Sequence, residues 1–483
     1  MTANQRNAPA PVETSLGQAL FPLLVLAMLI VYGLMIRPLA LKQTAMPLEI
    51  IFIFASAVTV AQLLVLGHKW TAIQNTIVAK FQVAMPAFFI LFCIGLIIAS
   101  WIVCGTIPMM VFWGLKTIHP AYLYVLSFLA TVIFSTLTGT SWGSVGTIGV
   151  VLIGIATALE AHLGITAGAI IGGAYFGDKL SPLSDTTNLA ALAAEVDLYD
   201  HIRSMLWTTV PSAVMAAALF AWMGSVYPPR IKVDELSQLD PFLNALKSIF
   251  HFSIFLLIPP LIVLFGSLRK LPTVPVLLTS VIVACGLTMT YQPFSFTDVI
   301  ASLHKGFDCR MATWVPDVPV EISVLLNRGG LYALNEAIII AFMVFIFIGA
   351  MDHINAMPTV VKRMMNSVRS QPGTVLSSLF ATAATNAMTS NQYATSFIIG
   401  DAFKAKYDEQ RVPRTVLSRS LEDTGTMIET IVPWHASSIY MVATLSVPFA
   451  EYWHWQLISI INIFVAMLLA VTGVGCSYGK RDP

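Results

Sequence analysis

Hydrophobic runs of about twenty residues recur along the chain, and polar residues interrupt some of them midway. Runs at 20–36, 47–67, 84–104, 207–227, 250–268, 273–291, 330–351 and 454–475 predict helices that cross a bilayer. Other apolar stretches do not read as simple spans. Residues 121–162 are broken by a hydroxyl-rich run from Thr136 to Ser144, and 373–402 by Thr385 to Gln392. The stretch from Ile165 starts as a small-residue helix and turns polar at Gly177-Asp178-Lys179-Leu180-Ser181-Pro182-Leu183-Ser184-Asp185-Thr186-Thr187-Asn188. It becomes apolar again at Leu189. Such a break at membrane depth is tolerated only where protein packs around it or it lines a cavity.

The interruptions repeat. A polar tip (Thr138 to Ser144) is followed some forty residues later by the break at Pro182. A second tip (Thr389 to Tyr393) is followed at nearly the same distance by Glu429-Thr430-Ile431-Val432-Pro433-Trp434-His435. Aligning Pro182 with Pro433 sets Asp178 on Glu429 and Ser184 on His435. The second tip has basic residues on both flanks, from Lys362, Arg363 and Arg369 to Lys404, Lys406, Arg411, Arg414 and Arg419. The first has Lys116 before it and no Lys or Arg again until Lys179. Positive charge collects on the cytoplasmic side, so the two tips are expected to enter from opposite faces.

The expected fold is therefore an all-α polytopic membrane protein with two inverted-topology repeats. Each repeat carries a re-entrant hairpin and a Pro-broken transmembrane helix. The expected division is a tail 1–19, a first half 20–227, a polar linker 228–248, a second half 249–475 and a tail 476–483. A second polar loop, 292–327, is expected to form an ordered cap.

Composition agrees. The 483 residues are 57% hydrophobic and 11% charged, with a mean hydropathy of +0.79, where ordinary globular domains carry about 25% charge. There is room for about a dozen membrane elements. A net charge of +1 gives no reason to expect a nucleic-acid partner, and the five cysteines form no CxxC pair. The polar start from Met1 to Gly17 lacks the pattern of a signal peptide, so the first apolar run is expected to be a retained span.

The run Gly177 to Asn188 resembles the signature of the NhaC family of sodium/proton antiporters. So do Ser418-Arg419-Ser420-Leu421-Glu422-Asp423-Thr424-Gly425-Thr426 with Pro433-Trp434-His435, and the run from Gly95 to Pro108. The similarity covers nearly the whole chain. It implies a secondary transporter with inverted repeats and opposed hairpins; relatives exchange sodium for protons, or organic acids such as malate against lactate. One departure is Tyr332-Ala333-Leu334-Asn335-Glu336, where a small hydroxyl-rich helix start is expected. Glu336 either caps that helix or faces a cavity.

Sodium prefers hard oxygen donors, so Asp178, Ser181, Ser184, Asp185, Thr186 and Asn188 are candidate ligands, with sodium itself assigned to Asp185, Thr186 and Asn188. The tips add Thr140, Ser141, Ser144, Thr389, Ser390 and Asn391 as further ligands, the alternative being polar glue between helices. Lys179 either neutralises Asp178 or takes part in transport. Glu429 and His435, with Glu422 and Asp423, are candidates for proton coupling, although Glu422 and Asp423 would equally suit a surface cap on the basic run. No nucleophile elbow, HExxH or GxxxxGKS motif is present, which argues against an enzyme and leaves ion gradients as the energy source. No repeated pore ring suggests a channel. No cofactor is expected beyond transported sodium and protons. The expected partners are the lipid bilayer of a bacterial cytoplasmic membrane and either ions alone or a small organic acid or amino acid; a homodimer stays open.

Overall fold

The computed structural model describes residues 15–231, 240–366 and 368–479. Most of the polar N-terminal tail, the middle of the 228–248 linker and the last residues of the C-terminal tail lie outside the described residues. Among the described residues every regular element is helical. Among these residues, eight helices are long and apolar enough to cross a bilayer, or ten elements if two bent pairs are each counted as one span.

The chain forms two compact units. One comprises 1–85 with 340–367 and the other 86–339 with 368–483. In the smaller unit the helices Leu16–Ala40 and Leu48–Val65 pack beside parts of Trp70–Val103 and Asn335–Asp352. Lys80 reaches Asp352 at 2.7 Å, and His353 joins His68 (3.1 Å) and Thr76 (2.9 Å).

The larger unit holds both interrupted regions. The first begins with a hairpin: an arm at Leu123–Thr138, a turn with left-handed Gly139 (φ 69°), and a return arm at Ser141–Ala158. Thr140 caps the return arm by accepting from the Gly143 amide. The helix Leu163–Leu180 follows, then a break, then Asp185–Ala194. The second region repeats this order with Gln371–Thr389, left-handed Ser390, Gln392–Glu409 capped by Asn391, the helix from Arg414, a break, and Ala436–Leu445.

A constant displacement of 251 residues, the distance from Thr140 to Asn391, relates the two regions. It takes the left-handed helix end Glu195 to Ser446 and the helix-start residue Ser184 to His435. It also takes individual bonds onto each other. Thr138 with Ser144 becomes Thr389 with Thr395. Ser135 donating to the Ala174 carbonyl becomes Asn386 donating to that of Gly425. Thr187 donating to the Asp178 carbonyl becomes Ser438 donating to that of Glu429.

Several expected boundaries move. The linker 228–248 is not all loop, because an amphipathic helix starts at Asp240, with Pro241 at its first turn, and bends by 92° into 254–268. The run 330–351 becomes helical only at Asn335, because Gly329 and Gly330 both adopt left-handed backbone (φ 86° and 89°). The span 454–475 is the helix Leu457–Thr472, set at 46° to a short segment before it.

Outside the breaks, Glu195 accepts from Lys404 (2.7 Å) and Arg414 (2.5 Å), tying the first broken helix to the second hairpin and to the start of the second broken helix. Lys404 foremost, then Arg414, hold its carboxyl below the ordinary value. The tie therefore contributes above that ordinary value and fades only as pH falls through the depressed one.

The first broken helix lies unusually close to the first hairpin. A Cβ on Gly173 would sit 2.4 Å from the Phe128 carbonyl oxygen, and one on Gly177 2.3 Å from the Thr136 nitrogen. Small residues four apart give membrane helices this approach, and here the obstacle is backbone that cannot swing away. Gly177→Ala is expected to cost about 1–3 kcal/mol, read as a lowered Tm of the purified protein. An unchanged Tm would show that the two helices separate freely.

Candidate functional site

Pro182 has no N–H and disfavours helix in the residue before it, so Leu163–Leu180 ends there and its last carbonyls lose their partners. Side chains replace them. Thr187 donates to the carbonyls of Asp178 and Lys179 (both 3.0 Å), and Asn188 donates to those of Pro182 (3.0 Å) and Ser184 (2.6 Å). Ser181 donates to the Thr136 carbonyl at 2.9 Å. The break is thereby stitched into its own structure and into the first hairpin.

Asp178 occupies the centre of this stitching and is only 9% exposed. One carboxylate oxygen accepts from the Ser141 hydroxyl (2.6 Å) and amide (3.2 Å), and the other from the Ser184 hydroxyl (2.6 Å). Asp185 stands exposed as the first residue after the break, with Thr186 beside Ser184 at 3.0 Å. Buried oxygens thus gather around Asp178, while Asp185, Thr186 and Asn188 form the rim. At the tip, Ser144 donates to the Thr140 carbonyl (2.6 Å) and meets Thr138 (3.2 Å).

Glu429 occupies the equivalent place in the second break. One of its oxygens accepts from the Tyr175 hydroxyl (2.8 Å) and the Ser437 hydroxyl (2.6 Å). The other has only Asn386, at 3.5 Å. His435 starts the following helix: its Nδ1 accepts from the Ser437 amide (3.1 Å) and its Nε2 lies 3.4 Å from the Asn386 oxygen. These two bonds assign the tautomer with hydrogen on Nε2, and a proton added at Nδ1 would break the cap. Ser390 accepts from the Ala436 amide (2.7 Å), Asn391 from that of Ala394 (2.9 Å), and Thr389 meets Thr395 (3.0 Å).

The two regions interlock. Tyr175 lies one turn before Asp178, yet its hydroxyl is spent on Glu429. From the first tip, the Trp142 indole N–H donates to Ser437 (3.3 Å), and its ring stacks on Tyr440 with centroids 4.3 Å apart. The Tyr440 hydroxyl in turn donates to the Trp142 carbonyl at 2.6 Å.

Lys179 does not neutralise Asp178. It is fully buried and pairs with Asp423, and it also donates to Asn462 at 3.1 Å. Asp423 further accepts from Thr208 (2.7 Å) and Asn462 (3.1 Å), with Arg419 at 3.7 Å. Glu422 and Asp423 are buried at 0% and 1% exposure, so neither is a surface cap. One Glu422 oxygen accepts from Thr426 (2.5 Å); the other has no donor among the described residues. Sequence reasoning missed Tyr175, Thr208 and Asn462. Asn462 did leave a signal, as the one polar residue in the stretch 460–471.

An all-helical, multi-pass membrane protein with two matched breaks, each holding a buried carboxylate, is the class that fold and site define. Comparison with known proteins narrows it. The chain belongs to the Na+/H+ antiporter family, whose profile matches residues 173–474. It is 38% identical over 480 residues, 99% of this chain and 100% of the other, to an uncharacterized Na+/H+ antiporter of Haemophilus influenzae. It is 33% identical to the Na+/H+ antiporter NhaC of Alkalihalophilus pseudofirmus over 84% of this chain and 86% of that one. It is 31% identical to a malate-2H+/Na+-lactate antiporter of Bacillus subtilis, over 86% and 87% respectively. The resemblance to the NhaC family read from the sequence is borne out.

Removing one partner of a buried ion pair leaves the other charge uncompensated. Asp423→Ala is expected to cost about 3–5 kcal/mol, whereas Lys179→Met with Asp423→Leu should recover most of that. Thermal unfolding of the three proteins in detergent checks it; a single variant as stable as the parent would refute the pairing.

Proposed function

We propose that this chain is a secondary active antiporter of a bacterial cytoplasmic membrane that exchanges sodium for protons. The observation that supports it most is the matched pair of buried carboxylates, Asp178 and Glu429, at the two helix breaks. Broken helices leave dipole ends and freed carbonyls that favour ions, and charged groups at such depth are functional by default. The chain acts as a carrier rather than an enzyme, with sodium and protons as cargo and no cofactor.

In this reading sodium enters at the first break. Asp178, Ser141 and Ser184 are its nearest buried oxygens, and Asp185, Thr186 and Asn188 receive it at the rim. Glu429 is the proton carrier, because its second oxygen is nearly free of donors; Glu422, with one oxygen wholly free, is a second. His435 positions the second break through its cap. One pH unit is worth about 1.4 kcal/mol per proton, and 100 mV about 2.3 kcal/mol per charge, so gradients of ordinary size can drive the exchange. The two halves, 20–227 and 249–475, would be inverted repeats that rock about the fixed site.

Two measurements test this. Asp178→Asn should remove sodium-dependent thermal stabilisation while leaving a folded protein, and Glu429→Gln should abolish proton movement in vesicles under a sodium gradient. Wild-type acidification or alkalinisation by Glu429→Gln would take the second break out of the proton path. For the orientation, cysteines at Arg369 and Glu409 should react with an impermeant reagent from one face of the membrane, and cysteines at His119 and Glu160 from the other. All four reacting from one face would sink the inverted arrangement.

A further inference from the structure

In the larger unit the chain doubles back at an exposed tip. The helix Ile258–Leu268 ends there, Arg269 and Lys270 follow, and Pro272 opens the helix Thr273–Tyr291. Lys270 takes left-handed backbone (φ 53°) and its amide donates to the Ser267 carbonyl at 2.9 Å. Close to the turn the two helices press together, since a Cβ on Gly266 would lie 2.5 Å from the Val276 side chain. Beside that contact a furrow of about 440 Å³ stays open. One wall carries Ile258, Leu261 and Phe265, and the other Pro272, Pro275 and Thr279. Spacing of three and four residues sets each trio on a single helix face.

These walls offer little to a polar ligand. Thr279 supplies a hydroxyl but spends it on the Pro275 carbonyl at 2.8 Å, and Pro272 and Pro275 have no N–H to give. Leu261, Phe265 and Leu271 stand exposed along the furrow. From Ile258 to Phe265 it follows its helix for about 10 Å. The end at the tip is different. The Arg269 guanidinium lies over the Phe265 ring, 4.9 Å from its centroid, so a cation is held at the mouth. Lys270 adds a second. Among the described residues neither has a carboxylate within ion-pair distance, whereas Arg203, Arg230, Arg310 and Arg414 each have one. Positive charge between two spans marks the cytoplasmic end of a hairpin.

We propose that this furrow binds one anionic phospholipid, with the phosphate on Arg269 and Lys270 and an acyl chain along the walls. A convex apolar face meets lipid tails only in passing. A concave one that ends in two cations selects a molecule that is apolar along its length and negative at one end. The guanidinium fork and the ammonium both suit phosphate oxygens, and basic groups beside a span attract the anionic lipids of the cytoplasmic leaflet. A second copy of the chain fits less well. Two copies in one membrane share an orientation, so a two-fold axis through the furrow would set four cations at the same level. The proposal uses no residue of the two breaks, and its failure would leave the sodium/proton reading standing.

The test is native mass spectrometry of the purified full-length protein in neutral detergent, titrated with phosphatidylglycerol. Phosphatidylcholine with the same acyl chains and glycerol 3-phosphate, the headgroup chemistry without chains, are the controls. One phosphatidylglycerol should bind in a saturable way, and phosphatidylcholine should need about tenfold more or higher. Arg269→Gln with Lys270→Gln should weaken phosphatidylglycerol by about tenfold or more and leave phosphatidylcholine unchanged. Leu261→Trp, which fills the furrow, should weaken both lipids. Sodium-dependent thermal stabilisation should be unaltered in both variants. Equal binding of the two lipids, parent-like phosphatidylglycerol affinity in the charge variant, or glycerol 3-phosphate binding as tightly as the lipid would overturn the assignment. So would a dimer that persists without lipid and is split by Leu261→Trp, since the furrow would then belong to a second copy. Should Leu261→Trp fail to fold, the charge variant, confined to exposed side chains, decides alone.

Discussion

A helix cannot simply stop inside a bilayer. Each interruption releases N–H and C=O groups that lipid cannot satisfy, and the larger unit is arranged to satisfy them. Thr187 and Asn188 serve the first break, and Ser438 serves the second, while Ser135 and Asn386 at corresponding places in the two hairpins cap carbonyls of the adjoining broken helices. The hairpins are needed because the break's own residues are too few. Once they are brought in, their hydroxyls and amides surround the carboxylates at the same points. Polar groups recruited to repair the backbone thus become the lining of the site.

The repeat shows which parts of this solution are general and which are particular. Backbone repair is common to both halves, and so are the left-handed turns at the tips and the carboxylate before each proline. The groups that donate to the two carboxylates differ. Asp178 takes serine hydroxyls and an amide from its own half, whereas Glu429 takes one serine hydroxyl from its own half and a tyrosine from the other. The Lys179–Asp423 pair has no counterpart, because the 251-residue displacement carries Lys179 to Thr430 and Asp423 corresponds to Gly172. The same arrangement of backbone thus presents its two buried carboxylates to different sets of donors.

Much of this was legible in the sequence because its signals are local. Pro182 and Pro433, the hydroxyl-rich tips and the apolar runs each report on their own neighbourhood, and the alignment of Asp178 with Glu429 needed only spacing. What could not be read depends on distant chain segments. Lys179 meets Asp423 across 244 residues and Tyr175 meets Glu429 across 254; nothing near Lys179 distinguishes that partner from adjacent Asp178. The choice between Asp178 and Asp185 is of the same kind. Both flank the break, and the hairpin's Ser141 decides which is enclosed. The helix at Asp240 was missed because its apolar face is spaced for one buried stripe, which a search for continuous hydrophobic runs passes over.

The stacked rings of Trp142 and Tyr440 have a mechanical consequence. Trp142 is carried by the tip of one repeat and Tyr440 by the helix after the break in the other, and each also hydrogen-bonds across the join. Stacked aromatic faces add attraction beyond their buried area, and the two hydrogen bonds beside them fix their register. The join therefore behaves as a clasp: it ties the tip of one interrupted region to the helix after the break in the other, and sliding one past the other would break these bonds.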